Sequence, residues 1–430
     1  MIVVSMPVSA PPASSWRRLL AVGAQGVASG TPYMVGTKLL QGWLTASGVP
    51  LGLIGLLAYA ELPYTLKMFW APALDRWPLP WPDRRRGWLL VVQGTLVAVI
   101  AAMALLRPRT AAAASLLVVG AMALLLAVVS ASQDILVDAY RTDLLPQEER
   151  GAGAAVANLG YRAAMLAVGA GGFILAGRQG WPQAFAASAL LMALVLPFTL
   201  TAPALTPLTH KVTSLSQAVV GPAREFLARA GGPRAAMLLA LILLYRWPDG
   251  LLNVMAVPFL IQRGFSPETV GSVLAGWGIA ATIAGTVIGG LLFGRLGLNR
   301  SLWVFAVVGA LGNLSYWGLA TFPGGMPALL AAVGLENLGG GMVGAAFVAL
   351  LMSLCNPRFS ATQYALLSGV YALSRSILSG QAGFVAEGVG WSVFFLLTVA
   401  SALPAFLLMT RLTPWNGRGV RGAYDPARDD

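Results

Sequence analysis

GVPLGLIG, residues 48–55, has a counterpart 216 residues later in GFSPETVG, residues 264–271, and both fit G-[VF]-x4-[IV]-G. Each octapeptide is a turn that opens a long apolar run, and each run closes on a basic turn, LDR at 74–76 and FGR at 293–295. The offset is close to half of the 430 residues. Matching turns at matching places mark a parallel internal repeat, so the chain is expected to fold as two related halves with any ligand site at the midplane between them.

The runs around these turns are spans. Hydrophobic residues make up 57% of the chain and charged residues 10%, with a mean hydropathy of +0.74; an ordinary soluble domain carries about 25% charge. Crossing a ~30 Å hydrocarbon core takes about 20 mostly apolar residues. Such segments occur at about 18–44, 51–74, 87–106, 111–138, 152–177, 183–202, 236–260, 267–293, 301–322, 326–354, 362–386 and 391–411. Lipid offers no partner to unpaired backbone groups, and no short alternating strands are present, so the segments must be helices. The expected fold is an all-α polytopic membrane protein of twelve transmembrane helices. Its parts are an N-terminal segment 1–17, a six-helix half 18–202, a linker 203–235, a second six-helix half 236–411 and a tail 412–430. The linker is rich in Pro, Gly and Ser, and PAREFLAR (222–229) within it reads as a short interfacial helix. Gly285 and Gly289, Gly340 and Gly344, and Gly169–Gly172 are expected to let helices approach closely. Pro32, Pro63, Pro248 and Pro258 fall inside spans, where they free carbonyls and allow bends.

With the amino terminus inside, nineteen Lys and Arg fall in cytoplasmic segments and four, Arg107, Arg109, Arg178 and Arg263, in outer loops. This bias places both termini in the cytoplasm. It also accounts for the net charge of +12 without nucleic acid. Arg17 and Arg18 precede an apolar run too long for a signal peptide, so an uncleaved first helix is expected. One cysteine, Cys355, excludes an internal disulfide, and one histidine, His210, excludes a His-based metal cluster. There is no Walker motif, nucleophile elbow or HExxH, which argues against an ATP-driven pump or an enzyme and leaves an ion gradient, with no cofactor, as the energy source.

Ten ionisable residues lie inside the spans: Lys38, Glu61, Lys67, Asp134, Asp138, Arg162, Arg246, Asp249, Glu336 and Arg375. Each costs roughly 2.5–3.5 kcal/mol near the bilayer centre on insertion scales, so each is expected to face the bundle interior or a polar path. In SQDILVDAYRTDLLPQEERG (132–151), Asp134, Asp138 and Arg141 share one helical face. Two carboxylates a turn apart in a low-dielectric site resist ionising together, as a proton-coupling group requires; a structural cluster at the cytoplasmic rim is the alternative. In YRWPDG (245–250), Arg246 and Asp249 can pair across Pro248, either as a gated pair or as a merely neutralised one. Lys38, Arg162 and Arg375 have no opposite charge within a turn on their own helices and must meet Glu61, Asp134 or Glu336 elsewhere, or an anionic ligand. Lys67 can snorkel. Glu336 opens the glycine run ENLGGG (336–341).

LLQGWLTASGV (39–49), LPYTLKMFWAPALDR (62–76), SQDILVDAYRTDLLPQEERGAGAA (132–155) and ENLGGGMVGAAFVALLMSLCNPRFSATQYALLS (336–368) resemble the AmpG-type muropeptide permeases, a major facilitator branch related to acetyl-CoA transporters. The resemblance implies proton-driven import of anhydromuropeptides, N-acetylglucosamine–anhydro-N-acetylmuramic acid bearing a short peptide, across the bacterial inner membrane for cell-wall recycling. The family's charged positions match Lys38, Glu61, Lys67, Asp134, Asp138, Arg141, Arg246, Asp249, Glu336 and Arg375, and together with the reading of the charges above the expected substrate contacts are Lys38, Arg246, Arg375, Arg162 and Glu336. Proton coupling falls to Asp134, Asp138, Asp249 and Glu61, and gating at cytoplasmic loops to Asp75, Arg76 and Arg141. The expected partners are an anionic glycopeptide and lipid, the expected state a monomer. Two alternatives remain at this level: transport or export of another organic anion, drug or siderophore, and a membrane-embedded enzyme or transport-dead sensor.

Overall fold

The computed structural model describes residues 14–77, 79, 81–106, 113–146, 149–205, 215–356, 360–417 and 419–422. Arg107, Arg109, His210 and the end of the tail lie outside them, as do the side chains of Asp75 and Arg76. The described residues form helices and turns, with no strand among them.

In the first half, α1 (Ser15–Met34) passes through a π turn at Val35–Leu39 into α2 (Leu40–Ala46). The next column is short pieces, α3 (Leu51–Gly55), α4 (Leu62–Leu66) and α5 (Ala71–Arg76), joined by 3-10 turns. Pro63 accounts for the first of these joints, because its ring cannot follow the Tyr59 carbonyl in an α-helix and it has no N–H to donate. Then come α6 (Arg84–Leu105), α7 (Ala113–Leu144), α8 (Arg150–Leu166), α9 (Phe173–Gln179), α10 (Trp181–Ala193) and α11 (Leu196–Thr201). The Asp83 side chain accepts from the Arg85 and Arg86 amides and so caps α6. A lone helix, α12 (Leu215–Ala230), follows.

The second half holds α13 (Gly232–Tyr245), α14 (Trp247–Gln262), α15 (Pro267–Gly271), α16 (Ile279–Thr321), α17 (Met326–Leu354), α18 (Ser360–Leu373), α19 (Ala382–Val389), α20 (Trp391–Ala400) and α21 (Leu403–Leu412). α16 is two helices broken at Gly297, whose φ of 71° only glycine adopts readily. Among the described residues, eight stretches are long and apolar enough to cross a membrane as helices. The remaining expected spans are apolar columns interrupted by π or 3-10 turns, or, at 267–321, two helices merged into one stretch.

The repeat is visible in the backbone. Gly48 (φ 73°) and Gly264 (φ 94°) open the two matched turns, and Gly180 (φ 107°) and Gly390 (φ 75°) open a second pair just before Trp181 and Trp391.

Helices pack by backbone approach within each half. A Cβ on Gly26 would sit 2.1 Å from the Ala157 carbonyl oxygen and one on Gly160 2.2 Å from that of Gly23, locking α1 to α8. Gly285 and Gly341 play the same part between α16 and α17, against Leu338 and Thr282. Gly289 meets Met342, as expected, but Gly340 faces open space. α17 therefore packs on two sides, Gly341 against Thr282 and Thr286 in the first helix of α16 and Gly339 against Val308 and Gly309 in the second, while Gly344 has only the Arg246 guanidinium nearby. One buried polar ring ties three columns: Gln25 donates to Thr199, Thr199 to Gln93 and Gln93 back to Gln25, at 2.7–2.9 Å.

The two halves touch directly at the end that holds the Gly48 and Gly264 turns. A Cβ on Gly383 would meet the Leu51 carbonyl oxygen at 1.9 Å, and one on Gly55 the Gly383 amide at 2.8 Å. Opposite, Gly271 lies against Phe173 and Gly169. Each half thus contributes the last glycine of its octapeptide to this closure. Two polar contacts add to it, Arg178 to Glu268 at 3.1 Å and the Gly52 amide to Glu387 at 3.1 Å.

Candidate functional site

Between the halves, the π turn at Val35–Leu39 carries Lys38 and a second at Ser374–Leu378 carries Arg375. Widened turns of this type often occur at functional positions. The break between α13 and α14 leaves Arg246 outside helical geometry (φ −110°, ψ 12°), with Pro248 next to it and Asp249 in the first turn of α14. Backbone irregularities therefore put three of the intramembrane bases on the midplane interface.

Their partners are now assigned. Arg375 donates to Glu61 at 2.6 Å and to the Tyr33 hydroxyl at 2.7 Å, crossing from one half to the other. Arg246 pairs with Asp249 at 3.3 Å and lies over the Tyr371 ring at 5.3 Å. Lys38 donates to the Asn253 carbonyl at 2.8 Å, also across the halves. Lys67 approaches Asp134 at 3.7 Å. Glu336, 8% exposed, accepts from Asn337 at 2.6 Å. Arg162 has no hydrogen bond or ion pair among the described residues, although it borders the cavity.

Three cavities here have Tyr33 in their walls. One, of about 270 Å³, is lined by Thr37, Lys38, Gln41, Glu61, Arg246, Asp249, Asn253, Tyr371 and Arg375. A second, of about 260 Å³, holds Arg162, Glu336, Asn337 and Tyr316 among apolar side chains such as Met34, Met165 and Phe173. Lys38, Asn253 and Tyr33 border both and form a septum between them. A third, of about 310 Å³, lies toward the α12 end and holds Asp134, Tyr64, Tyr161 and Ser376. A larger void of about 870 Å³ between α3–α4 and α7 is walled by leucines such as Leu53, Leu66, Leu117 and Leu124 and holds no charge. That one is an apolar cleft open at the protein surface.

Of the two readings open for Asp138, the geometry fits the rim cluster: its side chain is 60% exposed and pairs with Arg141 at 3.0 Å. One helical turn, about 5.4 Å of rise, carries it from the cavity to the rim. Asp134 alone lines the cavity, and Arg141 sits with Asp138 at the surface. Asp75 and Arg76 belong to α5, and their side chains lie outside the described residues.

Several site residues carry no charge and were not singled out from the sequence. Tyr33, Tyr64 and Tyr161 form an aromatic cluster with ring centroids 6.1–6.2 Å apart. Gln41, Asn253, Tyr316, Asn337 and Tyr371 complete the walls. A polar residue inside an apolar run is a usable signal, but the Gln25–Gln93–Thr199 ring carries the same signal and is structural.

The arrangement can hold a ligand bearing both hydroxyls and carboxylates. Arg162 is free to bind an anion, and the two cross-half cations, Lys38 and Arg375, can sense whether the halves are apart. The family model of the Major Facilitator Superfamily matches residues 19–379. The anhydromuropeptide permease of Escherichia coli strain K12 is 42% identical over 386 residues, covering 89% of this chain and 77% of that protein. A Rickettsia conorii protein carrying the name AmpG 4 is 32% identical over 403 residues, covering 91% and 96%. Among solved structures, an inward-facing, unoccupied bacterial homologue of the human lysosomal transporter Spinster superposes with a TM-score of 0.71 at 16% identity, covering 96% and 99%. The inward-open xylose transporter XylE of E. coli gives 0.68 at 13% identity, covering 92% and 95%. These two likenesses bear on fold alone. Family and fold are those of transporters, not enzymes.

Proposed function

The chain belongs to the Major Facilitator Superfamily and, within it, to the AmpG-type permeases, and from that premise we propose that it imports anhydromuropeptides by proton symport. The substrate would be N-acetylglucosamine–anhydro-N-acetylmuramic acid bearing a short peptide, taken from periplasm to cytoplasm for cell-wall recycling. The membrane would be the bacterial inner membrane, with both termini cytoplasmic, as the 19:4 distribution of bases favours.

The observation that carries this reading is the cavity itself: a charged space at the interface of two related halves, bordered by an arginine with no partner among the described residues. An unpaired guanidinium at such depth is costly unless an anion or water completes it, and its planar fork suits a carboxylate. In this scheme Arg162 contacts the substrate first. Lys38, Arg246 and Arg375 release their present partners to bind it, and Glu336 accepts from its hydroxyl or amide groups. Asp134 is the foremost proton carrier, because it borders the cavity and its ion pair with Lys67 is long, at 3.7 Å. Asp249 and Glu61 exchange between their arginines and the proton. Asp138 keeps at most a rim role.

Uptake of labelled anhydromuropeptide into proteoliposomes, with and without an inward-directed proton gradient, tests both claims. Accumulation should follow the gradient and collapse with a protonophore. Flux indifferent to the gradient would remove the coupling, and no flux of this substrate would remove the substrate.

A further inference from the structure

We propose that the two chambers on either side of the Tyr33–Lys38–Asn253 septum divide the substrate, the apolar-walled one taking the glycan and the charged one taking the acidic peptide. This rests on the muropeptide reading above and goes beyond it by assigning each moiety to named residues.

A sugar ring presents apolar faces and a rim of hydroxyls. It suits a chamber with apolar walls and a few convergent polar groups. The chamber beside Arg162 has that form: beyond the septum its polar groups are Arg162, Thr282, Tyr316, Glu336 and Asn337, set among apolar side chains. It also contains an orphan: the Tyr316 hydroxyl is buried in a residue 0% exposed and has no hydrogen-bond partner. A buried unsatisfied hydroxyl is unusual enough to require a cause, and a ligand hydroxyl in the adjoining space supplies one. A peptide with carboxylates and an ammonium instead needs charges of both signs. The other chamber offers two preformed pairs, Arg246–Asp249 and Arg375–Glu61, whose members can each trade a protein partner for a ligand one. It has its own orphan, the Gln41 side-chain oxygen, in a residue 4% exposed, which can accept from a peptide N–H. Neither chamber alone exceeds about 270 Å³. Joined across the septum they reach the range of about 300–1,000 Å³ typical of small-molecule sites.

Counterflow exchange in proteoliposomes, which needs no proton gradient, distinguishes the assignments using two labelled probes: the disaccharide without peptide, and the same disaccharide carrying an acidic peptide. Wild-type protein should exchange both. Tyr316→Phe removes only the orphan hydroxyl. It should raise KM about fivefold for both probes, the size of one lost hydrogen bond, with no fall in thermal stability. A purely structural tyrosine would give no KM change. The double variant Arg246→Gln/Asp249→Asn removes both members of a pair and leaves no orphan charge. It should raise KM for the peptide-bearing probe at least tenfold more than for the bare disaccharide. Parallel losses in the double variant, or wild-type KM values in Tyr316→Phe, overturn the division while leaving muropeptide transport standing. Wild-type protein that exchanges neither probe overturns the muropeptide reading and the division with it.

Discussion

At the scale of single residues, the charges were legible and their pairings were not. A lysine or arginine inside an apolar run announces itself, but Arg375 finds Glu61 across 314 residues of sequence and Lys38 finds a main-chain carbonyl 215 residues away. Only folding brings these groups together. The pairings also separate two kinds of cation. Arg162 has no partner among the described residues to abandon, so Arg162→Gln should leave thermal stability within about 0.5 kcal/mol of wild type while reducing substrate binding at least tenfold, measured by ligand-induced shifts in the melting curve. Glu61→Gln strands Arg375 at the interface. Breaking a fully buried pair costs about 3–5 kcal/mol, but water reaches a third of the Arg375 side chain, so a loss of about 1–3 kcal/mol is expected. If Arg162→Gln destabilised more than Glu61→Gln, the distinction between free and paired arginine would be wrong. The neutral ring shows the converse. Thr199→Val leaves Gln93 and Gln25 short of a partner inside the bundle and should lower the melting temperature without changing KM, since nothing in the ring borders the cavity.

At the scale of elements, hydrophobic runs located the helices but not their interruptions. The π turns at 35–39 and 374–378 contain no proline, and they hold Lys38 and Arg375. The breaks at Pro63 and Pro248 could be read beforehand. The octapeptide repeat, GVPLGLIG with GFSPETVG, turned out to hold more than a mark of symmetry. Its final glycines are the contact points that close one end of the molecule, Gly55 on Gly383 and Gly271 on Gly169 and Phe173. Because the obstacle at Gly383 is the main chain of Leu51, even a methyl group must push the halves apart there. Gly383→Ala and Gly271→Ala should therefore shift the population toward a form open at this end. With Cys355→Ser and a reporter cysteine at Asn253, an impermeant maleimide applied from the Gly48 side should label the glycine variants several times faster than the parent. Equal rates would mean that the glycine contacts do not hold this end shut.

At the scale of the whole molecule, composition marks a multi-pass membrane protein, but it says little about how the segment between the halves is held. α12 is not a free tether. Glu225 accepts from Arg229 at 2.9 Å, from Asn356 at 3.0 Å and from Gln363, while Arg229 donates to the carbonyls of Leu354 and Gly422. The helix is thereby fastened to the ends of α17 and α18 and to the described part of the tail, and it should move with the second half when the halves rock. Burial alone would raise the Glu225 carboxyl, but the hydrogen bonds from Asn356, Gln363 and Arg229 outweigh it and hold the group below the ordinary glutamate range. The sign of the pH effect follows. A carboxyl whose pKa is depressed by folding contributes its full stabilisation above the unfolded value of about 4.3, and loses it as pH falls through the lower folded value. Glu225→Gln should accordingly lower the melting temperature at pH 7, by about 2 °C for a chain of this size. It should also shrink the further fall between about pH 5 and pH 3, measured on purified protein in one detergent. A variant that kept the wild-type acid limb would show that the clamp on α12 does not set it. Unchanged counterflow KM values in the same protein would place the effect on the attachment of α12 and leave the cavity untouched.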